Sequence, residues 1–284
     1  MDIFLVEAVI NGLLLGGVLA LLALGLNLIF GVIDVVWIAY ADLVMCGMYA
    51  VYWLYTELGW PLPLAFLAAI AIVAVLGLLV HILIIAPILG SAPINQLLAT
   101  GGLLYFLQSF ATLVFGTDFR NIGVRLPIIE VGDLFISFSR LIAFAAALIG
   151  AVALYFFLRR TYIGTAIRAI AQDRDIMGLM GVDQRRIYLV TSAIGGALAG
   201  LGACLLALQY DVHPFIGNTF GPLIFMICVL GGLGNMIGGF AASFIVSQII
   251  SIGGYYSSVE LSYVMAFTLF IVLMFIRPRG ILAP

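Results

Sequence analysis

Apolar runs of about twenty residues follow one another from end to end of this chain, and that repetition restricts its fold more than any other feature. A helix needs roughly 20 apolar residues to cross a hydrocarbon layer about 30 Å thick. Lipid leaves no water for bare backbone groups, so only helices and closed barrels span it. A barrel strand alternates polar and apolar positions, and nothing in the sequence alternates. The chain therefore reads as an all-α polytopic integral membrane protein. It has about 8 transmembrane segments, one region glycine-broken or re-entrant, in a single transmembrane domain over residues 1–284. Charged residues make up 8%, against about 25% in soluble domains, which leaves no room for a separate soluble domain.

Taken in order, the first run extends from Phe4 to Phe30, with Gly12, Gly16 and Ala20 at a spacing that lets another helix backbone approach. A second segment, 34–55, is interrupted by Asp34, Trp37, Tyr40 and Asp42. A carboxylate inside a span faces a cavity or a partner; Asp34 reads as lying at the membrane surface and Asp42 as the deeper, cavity-facing one. Spans at 62–85 and 94–115 follow, separated by a link from Pro87 to Pro93 that breaks the helix twice. His81, near the end of the first of these, reads as an interfacial or hydrogen-bonded histidine. Thr100, Gly101 and Gly102 sit mid-span, where glycine pairs mark helix contact or a break lining a pathway. The polar interval 117–139 precedes spans at 141–158 and 187–208, and a last span runs over 263–276. Cys46, Cys204 and Cys228 fall inside apolar runs at no metal-ligand spacing, and no metal site is expected.

The chain has no lysine; all 11 basic residues are arginines. A P-loop needs its Lys to reach nucleotide phosphates, so the chain is not itself an ATPase of that type. Six of the arginines (Arg159, Arg160, Arg168, Arg174, Arg185 and Arg186) crowd into residues 159–186. Basic residues beside spans stay cytoplasmic, which puts this loop inside, and Arg277 with Arg279 put the C-terminus inside. Counting back, Thr117–Ser139 and the N-terminus, with Asp2 and Glu7, lie outside. Residues 212–251 must then make two crossings or a re-entrant hairpin turning at Gly231-Gly232-Leu233-Gly234-Asn235.

Within the basic loop, Arg168, Gln172 and Asp175 share one helical face beside an apolar stripe of Ile163, Ile167 and Ile170. Thr165 is placed to cap the helix start, and Gly178 or Gly181 to end it. A basic helix on anionic lipid is one reading. Asp173, Asp175 and Asp183 would be repelled there, and mixed charge suits a protein groove better.

The stretch RRTYIGTAIRAIAQDRDIMGLMGVDQRRIYLVTSAIGGALAGLGACLLAL, the opening NGLLLGGVLALLALGLNLIFGVIDVV, the glycine-rich VLGGLGNMIGG and the closing RPRG together resemble the permease subunits of the branched-chain amino-acid ABC importer family. They resemble the first of its two paired permeases more than the second. The resemblance implies that Gly164–Gly181 is a coupling helix inserted into an ATP-hydrolysing subunit, with Gly164, Arg168, Ala169, Gln172, Asp173 and Gly181 at the contact. It implies no cofactor in this chain, ATP and Mg being held by two partner ATP-binding subunits. It also implies a second homologous permease and an extracytoplasmic solute-binding protein, in a bacterial-type inner membrane. No catalytic residue and no nucleic-acid partner is expected. The family carries an Asn and a His–Gly pair in its second segment, where this chain has Trp37, Tyr40 and Ala41. Trp37, Tyr40, Asp42, Thr100, Gly231, Gly234 and Asn235 are the candidate translocation pathway, the solute's carboxylate being met by half-helix N-termini at the glycine break. Branched-chain amino acids lead as solute, with urea, short amides or other amino acids behind. The competing class is a self-contained ion-coupled transporter or channel, for which Asp42 is the one serious buried carboxylate.

Overall fold

The computed structural model describes residues 3–124, 127–131, 134–278 and 280–281. Asp2 and Arg279, on which the charge pattern draws, lie outside the described residues, as does the side chain of Asp175. The elements run α1 (Ile3–Ile33), α2 (Tyr40–Tyr52), α3 (Leu62–Val80), α4 (Ala86–Ile88), α5 (Pro93–Phe115), β1 (Ile128–Val131), β2 (Leu134–Ser137) and α6 (Phe138–Arg160). Then come α7 (Tyr162–Gln172), α8 (Arg174–Leu179), α9 (Gln184–Ala207), α10 (Ile216–Gly231), α11 (Met236–Tyr256) and α12 (Val259–Ile276). Among the described residues, seven helical stretches are long and apolar enough to cross a membrane, and the chain is a multi-pass membrane protein.

The helices sort by how many neighbours they need. α1 is the axis: 83% of its most apolar window is buried, against 11% for α12, and it packs along α11, α9, α6 and α10. The small residues read as a packing face do that work, since a side chain at Gly16 would meet Ser247 and Phe244 of α11. α3 lies on α9 with glycines at the crossing, a side chain at Gly77 reaching Ser192 and Gly196. α3 does not stop at Ile85; a π turn over His81–Ile85 carries it through α4 to Ile88. His81 is buried there, its Nδ1 hydrogen-bonded to Ser192 Oγ at 2.9 Å.

Two departures from the sequence reading concern breaks. The second span is not continuous from Asp34. α1 ends when Asp34 turns left-handed at φ 58°, its N–H still bonded to Phe30 O, and helix resumes only at Tyr40. The polar interval before α6 contains an antiparallel strand pair, Ile128 opposite Ser137 and Val131 opposite Leu134. Residues 212–251 resolve into two helices: α11, 21 residues long, and α10, only 16, about 24 Å at 1.5 Å per residue. α10 starts below the end of α5, because Asn218 in its first turn meets Gln108, two turns in from Phe115.

Two faces result. One carries the strand pair and the Arg120–Val212 bridge; burial holds His213 beside it below the ordinary imidazole range, against the pull of Asp211. The other carries α7, α8, Asp34 and the turn 232–235, onto which Ile281 folds by an N–H bond to Leu230 O.

Candidate functional site

The unwound stretch 34–39 is the centre of the first site. Val36 O accepts from Thr100 Oγ1 at 3.0 Å, which ties extended backbone to α5; Thr100 Oγ1 also sits 2.9 Å from Gln96 O. Trp37 and Tyr40 are both buried, edge to face with ring centroids 6.2 Å apart. Tyr40 donates its hydroxyl to Gly195 O of α9 at 3.1 Å, and a side chain at Gly25 would collide with that hydroxyl. The two aromatics are thus built into the bundle and do not sit as interfacial anchors. They wall a cavity of about 330 Å³ whose other lining includes Val36, Asn218, Pro222 and Phe225.

A polar cluster backs this cavity. Gln108 Nε2 donates to Asp42 Oδ1 at 2.9 Å and to Asn218 Oδ1 at 2.8 Å, joining α5, α2 and α10. Asp42 is 1% exposed. Its Oδ2, like the Trp37 indole nitrogen, has no hydrogen-bond partner among the described residues. Gln108 and Asn218 were not singled out from sequence. A polar residue within an apolar run was the available signal, and it was weaker than the carboxylate.

Of the seven pathway residues expected, Trp37, Tyr40, Asp42 and Thr100 come together here. Gly231, Gly234 and Asn235 do not. Gly231 packs on Gly238 so closely that a side chain at either would enter the other's backbone, and Gly234 lies against Gly31. Gly234 N donates to Asn27 Oδ1 at 3.2 Å, and Asn235 caps α11 by accepting from Gly238 N at 3.0 Å. None of the three lines the Trp37 cavity.

The second site is the α7–α8 loop. Its start is capped by Thr161 and not Thr165: Gly164 N donates to Thr161 Oγ1 at 3.0 Å. Gly164 is forced, because a side chain there would strike the Phe157 and Leu158 backbone where the chain turns out of α6. Ile167 and Ile170 are fully buried against the bundle while Arg168, Gln172 and Asp173 stay exposed. The expected single helix from Gly164 to Gly181 is two helices. Asp173 is extended and caps α8 by accepting from Ile176 N at 3.0 Å, so its carboxylate selects a new helix start over continuation. Gly181 has φ +80°, the left-handed terminator the sequence implied. Tyr162, Leu179 and Met180 are 82%, 90% and 75% exposed, so the loop presents apolar as well as charged side chains.

A polytopic helical frame with an unwound segment beside a mid-bundle cavity, and an amphipathic loop presented on one face, defines a membrane permease subunit. Residues 8–274 match the family described as "Branched-chain amino acid transport system / permease component", and the chain belongs to that family. It is 29% identical over 299 residues to the high-affinity branched-chain amino acid transport system permease protein LivH of Escherichia coli K12, covering 99% of this chain and 96% of that protein. It is 28% identical over 291 residues to BraD of Pseudomonas aeruginosa, a permease protein of the same description, covering 97% of this chain and 95% of BraD. Among solved structures, PsaBC from Streptococcus pneumoniae in complex with Fab shares the fold, with a TM-score of 0.55 and 14% identity over 95% of this chain and 91% of that one.

Proposed function

We propose that this permease subunit works in an ATP-binding-cassette importer that moves branched-chain amino acids into the cytoplasm. A second homologous permease, two ATP-binding subunits and an extracytoplasmic binding protein complete the assembly. The observation that carries the reading is the α7–α8 loop: its inner face is sealed against the bundle by Ile167 and Ile170, while apolar Tyr162, Leu179 and Met180 are exposed on the same loop as exposed Arg168, Gln172 and Asp173. Exposed apolar side chains set among polar and charged ones mark a protein contact, and the chain has no lysine with which to bind nucleotide itself. Gly164, buried, and Ala169, half-buried, support the loop from its inner side, and Gly181 ends it. ATP and Mg belong to the partner chains. In this arrangement the loop and the C-terminus face the cytoplasm of a bacterial-type inner membrane, and the strand pair and N-terminus face outward.

The solute passes the Trp37–Tyr40 cavity, where an aliphatic side chain meets apolar walls and the Asp42–Gln108–Asn218 cluster supplies polarity. ATP-driven motion of the loops opens this cavity to each side in turn. The test is uptake of radiolabelled leucine by vesicles holding the assembled complex and its binding protein. Uptake should require ATP and persist when a protonophore collapses the proton gradient. Uptake that survives removal of the ATP-binding subunits and stops with the protonophore would overturn the proposal in favour of an ion-coupled carrier, with Asp42 as its proton site.

A further inference from the structure

We infer that the ion pair between Arg174 and Asp34 is the link through which the α7–α8 loop moves the wall of the solute cavity, an inference that rests on the importer reading above. The two residues are 140 apart in sequence, yet Arg174 Nη2 lies 3.5 Å from Asp34 Oδ2. The other ion pair among the described residues, Arg186 with Asp183, is a local i,i+3 contact within one helix start.

Both ends of the long-range pair sit at mechanical junctions. Arg174 is the first residue of α8, directly after the break at Asp173, and its carbonyl is held by Gln184 Nε2 at 2.6 Å, tying it to the start of α9. Asp34 is the one non-glycine residue with positive φ among the described residues. It is the point at which α1 ends and the extended stretch begins. Trp37 is the third residue after it, about 10 Å of extended chain away, so little displacement can be lost between them.

The pair also bounds a second cavity, about 660 Å³, lined by Asp34, Val36, Ser91, Gln96, Arg174 and Tyr188 among others. Val36 lines this cavity and the Trp37 cavity alike. The short run 34–37 thus divides an inner vestibule from the solute cavity. It is fastened at Val36 to Thr100 and at Asp34 to the loop that meets the ATPase. Pulling Arg174 shifts the partition itself.

Stability does not explain the pair. Its side chains are 38% and 60% exposed, and exposed ion pairs contribute little to folding. A link, in contrast, shows itself in coupling. The test compares Asp34→Asn, Arg174→Gln, the double substitution and the reversal D34K/R174E in the assembled complex, measuring leucine uptake, ATP hydrolysis and retention of the ATP-binding subunits on the same preparations. Asn tolerates left-handed φ as Asp does, so Asp34→Asn removes charge without disturbing the turn.

Each single substitution should lower leucine moved per ATP hydrolysed by about fivefold, the lower end of typical coupling between sites. The double should lose about fivefold as well, because both changes cut one connection. The reversal should regain most of the loss, and Asp183→Asn with Arg186→Gln should leave the ratio unchanged. Single effects under about twofold, or a double near 25-fold, would overturn the link. So would loss of the ATP-binding subunits from the single variants, since the residues would then be serving docking. Absence of ATP-driven uptake in the unsubstituted complex would instead sink the importer reading, and the link with it.

Discussion

Two interruptions of the helical frame meet at the end of α1, and they are made in opposite ways. At 232–235, between α10 and α11, the break is sealed by backbone on backbone: Gly231 against Gly238, Gly234 against Gly31, with Asn27 and Asn235 meeting freed N–H groups. At 34–39 the break is held by single bonds, Thr100 to Val36 and Arg174 to Asp34, and has a cavity on each side. Interfaces made of glycine contact tolerate no displacement, whereas a strand of backbone suspended between hydrogen bonds can move. In the proposed importer the first break serves as a fixed bearing and the second as the moving part. Both sequences lie in apolar surroundings; what separates them is whether another backbone comes close enough to fill the gap.

The sharpest way to break this comparison is Gly238→Val. A side chain at 238 would enter the Gly231 carbonyl, and backbone cannot rotate aside as a side chain can. Overpacking a core costs about 1–3 kcal/mol where neighbours can relax; here the loss should reach or exceed the top of that range. The expected result is little or no monodisperse permease on size exclusion. A well-folded, transporting Gly238→Val protein would show that the 232–235 turn is not a bearing.

At the moving break the effects should fall on transport more than on folding. Asp42→Ala takes one acceptor from Gln108 Nε2 and empties part of the cavity's polar backing. Leaving a buried polar group short of a partner costs about 1–3 kcal/mol, which should appear as a roughly tenfold drop in leucine uptake with normal membrane insertion. Thr100→Val, which frees Val36 O, should cost about 1 kcal/mol and a few-fold in uptake. If Thr100→Val abolished folding while Asp42→Ala transported normally, the roles assigned to segment and cluster would have to be exchanged.

The ease with which each feature is read from sequence follows the same division. Span positions are legible to within a few residues because hydrocarbon thickness dictates them: 94–115 is found as Pro93–Phe115 and 187–208 as Gln184–Ala207. The loop is legible because its charges cannot enter lipid, and Gly181 because left-handed backbone favours glycine. The unwinding at 34–39 is not legible. VVWIA is as apolar as a continuous span, and the reasons it unwinds are tertiary: Thr100 offers Val36 a bond from another helix, and Gly25 leaves room for the Tyr40 hydroxyl. Gly231 and Gly234 are ambiguous for the converse reason, since a glycine cluster looks alike whether it opens a path or admits a neighbour, and these two pack on Gly238 and Gly31. The second helix start inside the loop was concealed because Asp173 fits an exposed helical face as well as it fits a cap.

The smallest effect is expected where glycine has neither duty. Gly101 and Gly102 lie mid-way along α5 with nothing within 4 Å of where a side chain would begin, on a helix whose Leu98, Tyr105 and Phe106 are largely exposed. Gly102→Ala removes backbone freedom that helix formation must otherwise overcome, worth up to about 1 kcal/mol in favour of the helix. Folded yield should therefore hold or rise, and leucine uptake should stay within about twofold of the parent, as for most changes that touch nothing. The informative contrary result is a permease that folds as well as the parent but no longer transports or assembles. Small residues one turn apart let helix backbones meet in membranes. That outcome would put a second permease's helix against Gly102 and make α5 a bearing between subunits, as 232–235 is within this one.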